Sequence, residues 1–346
     1  MASSAVVTHF NALSRRRLLE ETPSPVYVAS KQSRVSLARN SSVIDAIFAV
    51  IYGSQTVAAA ITAVSSAGMY NLIDTIELVV GGKTLMRVNG NTLPILYHIY
   101  SGKRPPVTDV ANPGAGNAFS YNLPIVLPLN DFMAYFSPLD ASRDDIREMR
   151  IVITWSAGGS VLYTTSSTIT NTTGPTIELH TERVTGGALV NGQLQAGSPG
   201  YRGYKFHSLI TEQTAYSGVA NTTLKYKLNE YRRYSRLIFQ PLTSAGNGTT
   251  AVINSIKIIN NQETIQELTR REIERAQFDR YNVNATDQGT FWLGAAVIDF
   301  ARPGVYSETD WVDSGADAYA LLNVSALSGA IINVTADTFT ASLENL

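Results

Sequence analysis

Residues 71–85, NLIDTIELVVGGKTL, have a near-copy half a chain later at residues 251–265, AVINSIKIINNQETI. Aligned, Ile73 falls on Ile253, Asp74 on Asn254, Thr75 on Ser255, Ile76 on Ile256, Thr84 on Thr264 and Leu85 on Ile265, at a constant separation of 180 residues. Each copy alternates Ile and Leu with other residues, passes through Gly81-Gly82 or Asn260-Asn261, and starts a second β-rich run. Alternation marks a strand with one buried face, and Gly or Asn supplies the left-handed backbone of a tight hairpin. A hairpin repeated at half-length constrains the whole chain to two similar domains in tandem.

The rest of the composition fits that constraint. A chain of 346 residues is long enough for two domains, each with its own core. Charged residues make up 16%, against roughly 25% in an average soluble protein, so Ser, Thr, Asn and Gln must supply much of the polar surface. That balance suits an all-β protein covering much of its surface with neighbours. The net charge of −1 provides no overall field toward nucleic acid or anionic lipid. There are no cysteines, which excludes disulfides, thiolate metal sites and cysteine nucleophiles and favours folding in a reducing compartment. The N-terminus lacks the apolar run of a secretory signal.

Residues 1–34 read as an arm. Val6, Val7, Phe10, Leu13, Leu18 and Leu19 fall near helical spacing around Arg15, Arg16 and Arg17, before Pro23 and Pro25 break any helix. Such an amphipathic arm offers its arginines to the phosphates of lipid or nucleic acid. The window 43–64 approaches a membrane span in length, but Asp45 and the Gly53-Ser54 pair divide it into two expected buried strands. Asn91-Thr92 with Pro94 opens a helix through Tyr100 that stops at Gly102. Residues 102–117 and 156–175 read as loops, 119–129 as a proline-bearing edge strand, 130–136 as a helical turn and 149–155 as a strand. Six glycines within 185–203 suggest the linker. The second half repeats the plan: strands at 222–228 and 235–242, the second hairpin, and a charged helix at 262–281 pairing Glu267 with Arg271 and Arg270 with Glu274. Further strands are expected at 289–300, 319–324 and 330–336, the last two in the slot of 149–155.

Many short strands with long loops describe sandwiches of antiparallel sheets, and eight strands make a jelly roll. In this order the residues resemble the double jelly-roll major capsid proteins of tailless icosahedral double-stranded DNA viruses of bacteria or archaea. Ile73-Asp74-Thr75-Ile76-Glu77-Leu78 with Gly81-Gly82 is similar to the first-domain hairpin of that family. Ile253-Asn254-Ser255-Ile256-Lys257-Ile258 with Asn260-Asn261 is similar to its degenerate second copy. The strand region 123–155, the segment 289–300 and Leu322-Asn323-Val324-Ser325 extend the likeness over about residues 35–340.

The resemblance implies an all-β chain of two tandem eight-stranded antiparallel jelly rolls with a few short helices, over residues 35–195 and 196–346. It also implies a structural, non-enzymatic protein forming pseudo-hexagonal homotrimeric capsomers. Six similar domains then imitate six equal neighbours in a closed three-fold ring. Its location is the virion shell, after the host cytoplasm. Its partners are further copies, neighbouring capsomers, minor capsid and vertex proteins, and lipid or genome through the arm.

Motifs for chemistry do not assemble. Gly81-Gly82-Lys83-Thr84 ends like a phosphate loop, but that motif needs a glycine where Leu78 stands. His9, His98, His180 and His207 are scattered. A strand through Glu178, His180 and Glu182 sets them on one face, more simply a polar outer face than a metal or acid–base group. Asp140, Asp144 and Asp145 lack the order of a calcium loop. No catalytic residue, cofactor site, metal site or small-molecule substrate is assigned. The rival reading is a carbohydrate-binding or carbohydrate-cleaving β-sandwich stacking sugars on Trp155, Trp292 and Trp311, although no carboxylate pair of a glycosidase stands out.

Overall fold

The computed structural model describes residues 14–20, 24–39, 43–57, 66–106, 118–129, 139–140, 146–157, 169–185, 189–190, 193–194, 206–215, 222–243, 248–249, 253–300, 312–325 and 331–340. The first half contributes β1 (Ser14–Leu19), β2 (Gln32–Ser36), β3 (Val43–Val57), β4 (Ile73–Val80), β5 (Lys83–Asn89), β6 (Ala118–Pro128), β7 (Leu139–Asp140), β8 (Met149–Trp155) and β9 (Ile169–Thr185). A small hairpin follows, β10 (Leu189–Val190) with β11 (Gln193–Leu194). The second half contributes β12 (Phe206–Ala215), β13 (Thr222–Lys227), β14 (Arg233–Leu242), β15 (Ile253–Asn260), β16 (Glu263–Thr269), β17 (Ala296–Asp299), β18 (Val312–Asp313), β19 (Ala318–Val324) and β20 (Ile331–Thr340).

Pairing makes each half a jelly roll. In the first, the order β1-β9-β3-β6 packs on β2-β8-β4-β5; in the second, β12-β20-β14-β17 packs on β13-β19-β15-β16. Each half thus folds its eight long strands as 1-8-3-6 over 2-7-4-5, the two-sheet antiparallel plan expected. Short β7 and β18 add to β3 and β14. One parallel contact joins the halves: Leu209 and Ile210 of β12 pair with Met86 and Arg87 of β5, fusing two four-stranded sheets into one continuous sheet.

The repeat is more faithful in backbone than in side chains. β15 and β16 begin and end 180 residues after β4 and β5. The register slips between Leu78 and Val79 and again between Ile258 and Ile259. It slips between Ile73 and Thr75 and again between Ile253 and Ser255. Bulges fix register and twist, so repeating them keeps the same inward faces. Ile76, Leu78, Ile151 and Ile153 face Ile47, Ile51, Leu123 and Ile125 across the first core. Ile256, Ile258, Leu322 and Val324 do the same against Leu237, Phe239, Ile332 and Val334 in the second. Burying each such side chain contributes about 1.5–3 kcal/mol.

Several expectations need correction. Residues 14–19, expected within a helical arm, are a β-strand paired along its length with β9; residues 1–13 lie outside the described residues. Of the window 43–64, residues 43–57 are one continuous strand through Gly53-Ser54, not two; residues 58–64 lie outside the described residues. At Gly53 a Cβ would stand 2.6 Å from the Tyr121 hydroxyl and 3.1 Å from the Pro175 Cα, so this glycine permits close backbone approach rather than a turn. β9 begins at Ile169, inside the expected loop 156–175. The second hairpin turns at Asn261 and Gln262 (φ 50° and 70°), not Asn260-Asn261. Residues 263–269 are strand and the helix starts only at Arg270, so Glu267 pairs with Lys257 across the strands at 3.1 Å. Within 289–300 only β17 is a strand, preceded by a short helix at Ala285–Gln288. β19 takes the slot of β8, but β20 is the counterpart of β9. The expected turn at 130–136 lies outside the described residues.

Candidate functional site: the seam between the halves

The Leu93–Ser101 helix, LPILYHIYS, follows β5 and leans on the second half. Thr92 precedes it, Pro94 sits in its first turn, and Gly102 ends it in the left-handed conformation, its N–H donating to His98 O at 3.0 Å. Thr92 does not cap its own helix. Its hydroxyl donates instead to Gln240 Oε1 across the seam at 3.3 Å. Gln240 Nε2 donates to Asn91 O at 3.1 Å, and Asn333 Nδ2 to Asn91 Oδ1 at 2.9 Å. Trp292 Nε1 donates to His98 Nδ1 at 2.9 Å, edge-on to the ring. Burial lowers the pKa of His98, which therefore stays neutral with its Nδ1 free to accept. At the rim Arg104 Nε meets the buried Asp287 carboxylate at 2.8 Å.

Deeper in the seam, His207 and Asp337 are fully enclosed, with Arg236 nearly so. Asp337 Oδ2 accepts from Tyr100 at 2.5 Å and from Arg236 at 3.0 Å, while its Oδ1 lies 2.6 Å from His207 Nε2. Arg236 Nε donates to Asp299 Oδ1 at 2.6 Å; Tyr281 donates to Asp299 Oδ2 at 2.5 Å, and Arg280 stands 3.4 Å from it. His207 Nδ1 lies 2.8 Å from Pro128 O, a carbonyl that only accepts, so Nδ1 carries a proton. Burial alone would raise the Asp337 pKa; the charges of His207 and Arg236 outweigh it and hold the carboxyl low. An ionised Asp337 facing Nε2 makes His207 an imidazolium. Burial opposes the Arg236 charge too, and Asp299, Tyr281, Tyr100 and Asp337 together more than restore it.

This cluster cannot turn over a substrate. Both nitrogens of His207 are engaged, and neither His207 nor Asp337 reaches solvent. It clamps instead: removing one partner of such a network leaves a buried uncompensated charge, at a cost of about 3–5 kcal/mol. Sequence reasoning missed it because its members span the chain. The available signal was charge inside apolar strands: Arg236 in RYSRLIFQPL, Asp299 in AVID and Asp337 in IINVTADTFT.

The other singled-out residues separate. Arg15, Arg16 and Arg17 stand opposite Val184, Arg183 and Glu182 in the β1–β9 register. Arg17 lies 3.8 Å from Glu182 and stacks 4.4 Å above the Phe48 ring. β1 is anchored by Glu20, whose side chain is 1% exposed and pairs with the equally buried side chain of Arg183 at 2.9 Å, accepting also from Thr181 and from Ala38 N. Glu178, His180 and Glu182 do share the outer face of β9, with His180 3.7 Å from Glu178. Trp155 and Trp292 are core residues, 1% exposed, and are unavailable to stack on a sugar. Trp311, Asp144, Asp145 and His9 lie outside the described residues. No cluster of three metal-ligating side chains occurs among the described residues, and no described helix is long and apolar enough to cross a membrane.

No family model and no curated protein matches the sequence. Solved structures do match the fold. The major capsid protein of Sulfolobus turreted icosahedral virus is 18% identical with a TM-score of 0.71, over 96% of this chain and 98% of that one. The major capsid protein of Faustovirus is 8% identical (TM-score 0.57; 95% and 90% covered). That of bacteriophage PM2 is 10% identical (TM-score 0.54; 94% and 97% covered). The chain shares one fold, the double jelly roll, with all three.

Proposed function

We propose that this double jelly-roll chain is a major capsid protein, a structural subunit whose copies assemble into a virion shell. The supporting observation is the coincidence over nearly the full length of both chains with the turreted virus capsid protein. The clamped seam suits the role. A subunit whose two halves move as one body presents two similar faces at a set angle, and three such subunits close into a ring of six similar domains. The capsomer is then a homotrimer of pseudo-hexagonal outline, tiling with its neighbours and meeting minor capsid and vertex proteins at special positions. Before assembly the protein resides in the host cytoplasm. Arg15 and Arg16 face phosphate of an internal membrane or of the genome, while Arg17 is held against Phe48 and Glu182. Replacing Arg15 and Arg16 by alanine should leave trimers intact and reduce co-sedimentation with anionic vesicles or with DNA; undiminished binding to both removes that role.

Light scattering on the purified protein, with negative-stain imaging of the same sample, tests the main reading. Particles of three 37.5 kDa chains with a six-sided outline are expected. Monomers without such particles overturn the proposal.

A further inference from the structure

The contact joining the halves inside one chain has two open counterparts on its surface. Within the chain, the β4–β5 hairpin and the Leu93–Ser101 helix of the first half meet the edge and outer face of β12-β20-β14 in the second. The second half owns the same donor parts, β15–β16 and the Arg270–Tyr281 helix. The first half owns the same acceptor, the sheet β1-β9-β3. Among the described residues β16 pairs only with β15 and β1 only with β9.

Counterparts differ in burial as a missing partner requires. The register of β3 on β9 slips between Ile44 and Ala46, and that of β14 on β20 between Tyr234 and Arg236. Matching these bulges sets Phe48, Val50 and Tyr52 on Ile238, Gln240 and Leu242. The latter three are buried under the first half, whereas Phe48, Val50 and Tyr52 remain partly exposed. Exposed apolar side chains gather at the same two places. Of seven large ones among the described residues, Leu18, Leu19, Val26 and Val28 lie along β1 and its continuation. Ile265 and Phe278 lie on β16 and the following helix, with Tyr231 the exception. Beside that helix a groove of about 500 Å³ is lined by Leu268, Ala276 and Val297 and by charges of both signs, Arg271 and Arg275 with Glu272 and Asp279. Glu178 and Glu182 stand on the outer face of β9.

We infer that β16 and the Arg270–Tyr281 helix dock on the β1-β9-β3 sheet of a second copy of this chain, repeating between subunits the contact made within one. The inference rests on the capsomer reading and specifies its interface. The same bulges set Arg17 and Leu18 on Leu209 and Ile210, and Gln266 and Glu267 lie 180 residues after Met86 and Arg87. The parallel pairs between subunits are therefore Arg17 with Gln266 and Leu18 with Glu267. The left-handed caps Gly102 and Asn282, also 180 apart, bring Arg280 to the place of Tyr100, while Glu182 takes that of Asp337. A hydrogen bond inside the chain becomes an ion pair between chains. Arg17 falls inside this contact, leaving Arg15 and Arg16 for phosphate.

The absence of native cysteines makes a cross-link unambiguous. Leu18→Cys with Glu267→Cys, oxidised at trimer-forming concentration, should yield a covalent trimer on a denaturing gel, while either single variant stays monomeric. Arg87→Cys with Ile210→Cys is the control and should close within one chain. Closure of the control without intermolecular cross-links, in a sample that scatters as trimers, overturns this interface and leaves the capsomer reading standing. Monomers alone overturn both. Should the double variant fail to fold, Ile265→Asp with Phe278→Asp alters only exposed positions. That variant should weaken trimer association at least tenfold, and unchanged association overturns the inference.

Discussion

Two helices occupy the same place in the two halves and have opposite characters. The Leu93–Ser101 helix carries Leu93, Ile95, Leu96 and His98 into the interior and has no charged side chain. The Arg270–Tyr281 helix buries only Ile273 and Gln277. It is held by its own devices: a capping box in which Thr269 N and hydroxyl both donate to Glu272 at 2.8 Å, and pairs Arg270–Glu274 and Arg275–Asp279 at 2.7 Å. The first helix is stabilised by what covers it, the second by its own sequence. The difference tells which of the two equivalent jelly-roll faces is covered within the chain and which is left exposed.

The sharpest way to break this comparison is to make one change on both sides. Asp337→Asn leaves the His207 and Arg236 charges enclosed and should cost about 3–5 kcal/mol in urea denaturation at fixed protein concentration. Glu182→Gln, at the counterpart position, should cost the isolated chain under about 1 kcal/mol. Equal costs would mean that the two faces are equally covered.

The turns come next. Gly82 has φ 81° and open space around a Cβ, so Gly82→Gln adds backbone strain without a clash and should destabilise by about 1–2 kcal/mol. The reciprocal Gln262→Gly, at φ 70°, should stabilise by up to about 1 kcal/mol. Opposite signs in thermal melts support equivalent turns; equal signs refute it.

His98 adds a pH signature that its counterpart Phe278 lacks. Its folded pKa lies below the ordinary 6.5, so its contribution is complete above 6.5. It falls as pH drops below that value, because the unfolded chain then binds the proton more readily. Asp337, also held low, loses its contribution only below the ordinary carboxyl value of 3.8, so the windows separate. His98→Gln should flatten the decline in melting temperature between pH 7 and 5, and an unchanged slope would assign the decline elsewhere. The smallest effect belongs to Arg275→Ala, whose side chain is 73% exposed: roughly 0.5 kcal/mol or less in the isolated chain, with a larger loss in trimer association.

Local features were legible where neighbouring residues alone decide them. Gly81-Gly82, the Pro94 start and Gly102 stop, and the alternation of Met149–Trp155 each gave the right element. Reading failed where a distant strand made the decision. Residues 263–269 show no apolar alternation and are only half-buried at Gln266 and Leu268, so their charges suggest a helix; hydrogen bonds to β15 hold them extended. Gly53-Ser54 looks like a turn because nothing nearby reveals that Tyr121 and Pro175 close on that backbone. The seam was invisible for the same reason, since His98 and Trp292 are 194 residues apart.

The sequence by itself determined the duplication, the β class and the first hairpin turn, because alternation and left-handed glycines are properties of a few adjacent residues. Only the tertiary structure decided which copy of each element would be buried. That choice follows from the pairing of β5 with β12, which brings the first half's apolar helix over Asp337 and Arg236 and leaves the charged helix outside. Long-range pairing is set by the summed burial of whole faces, a quantity that no short stretch of residues carries.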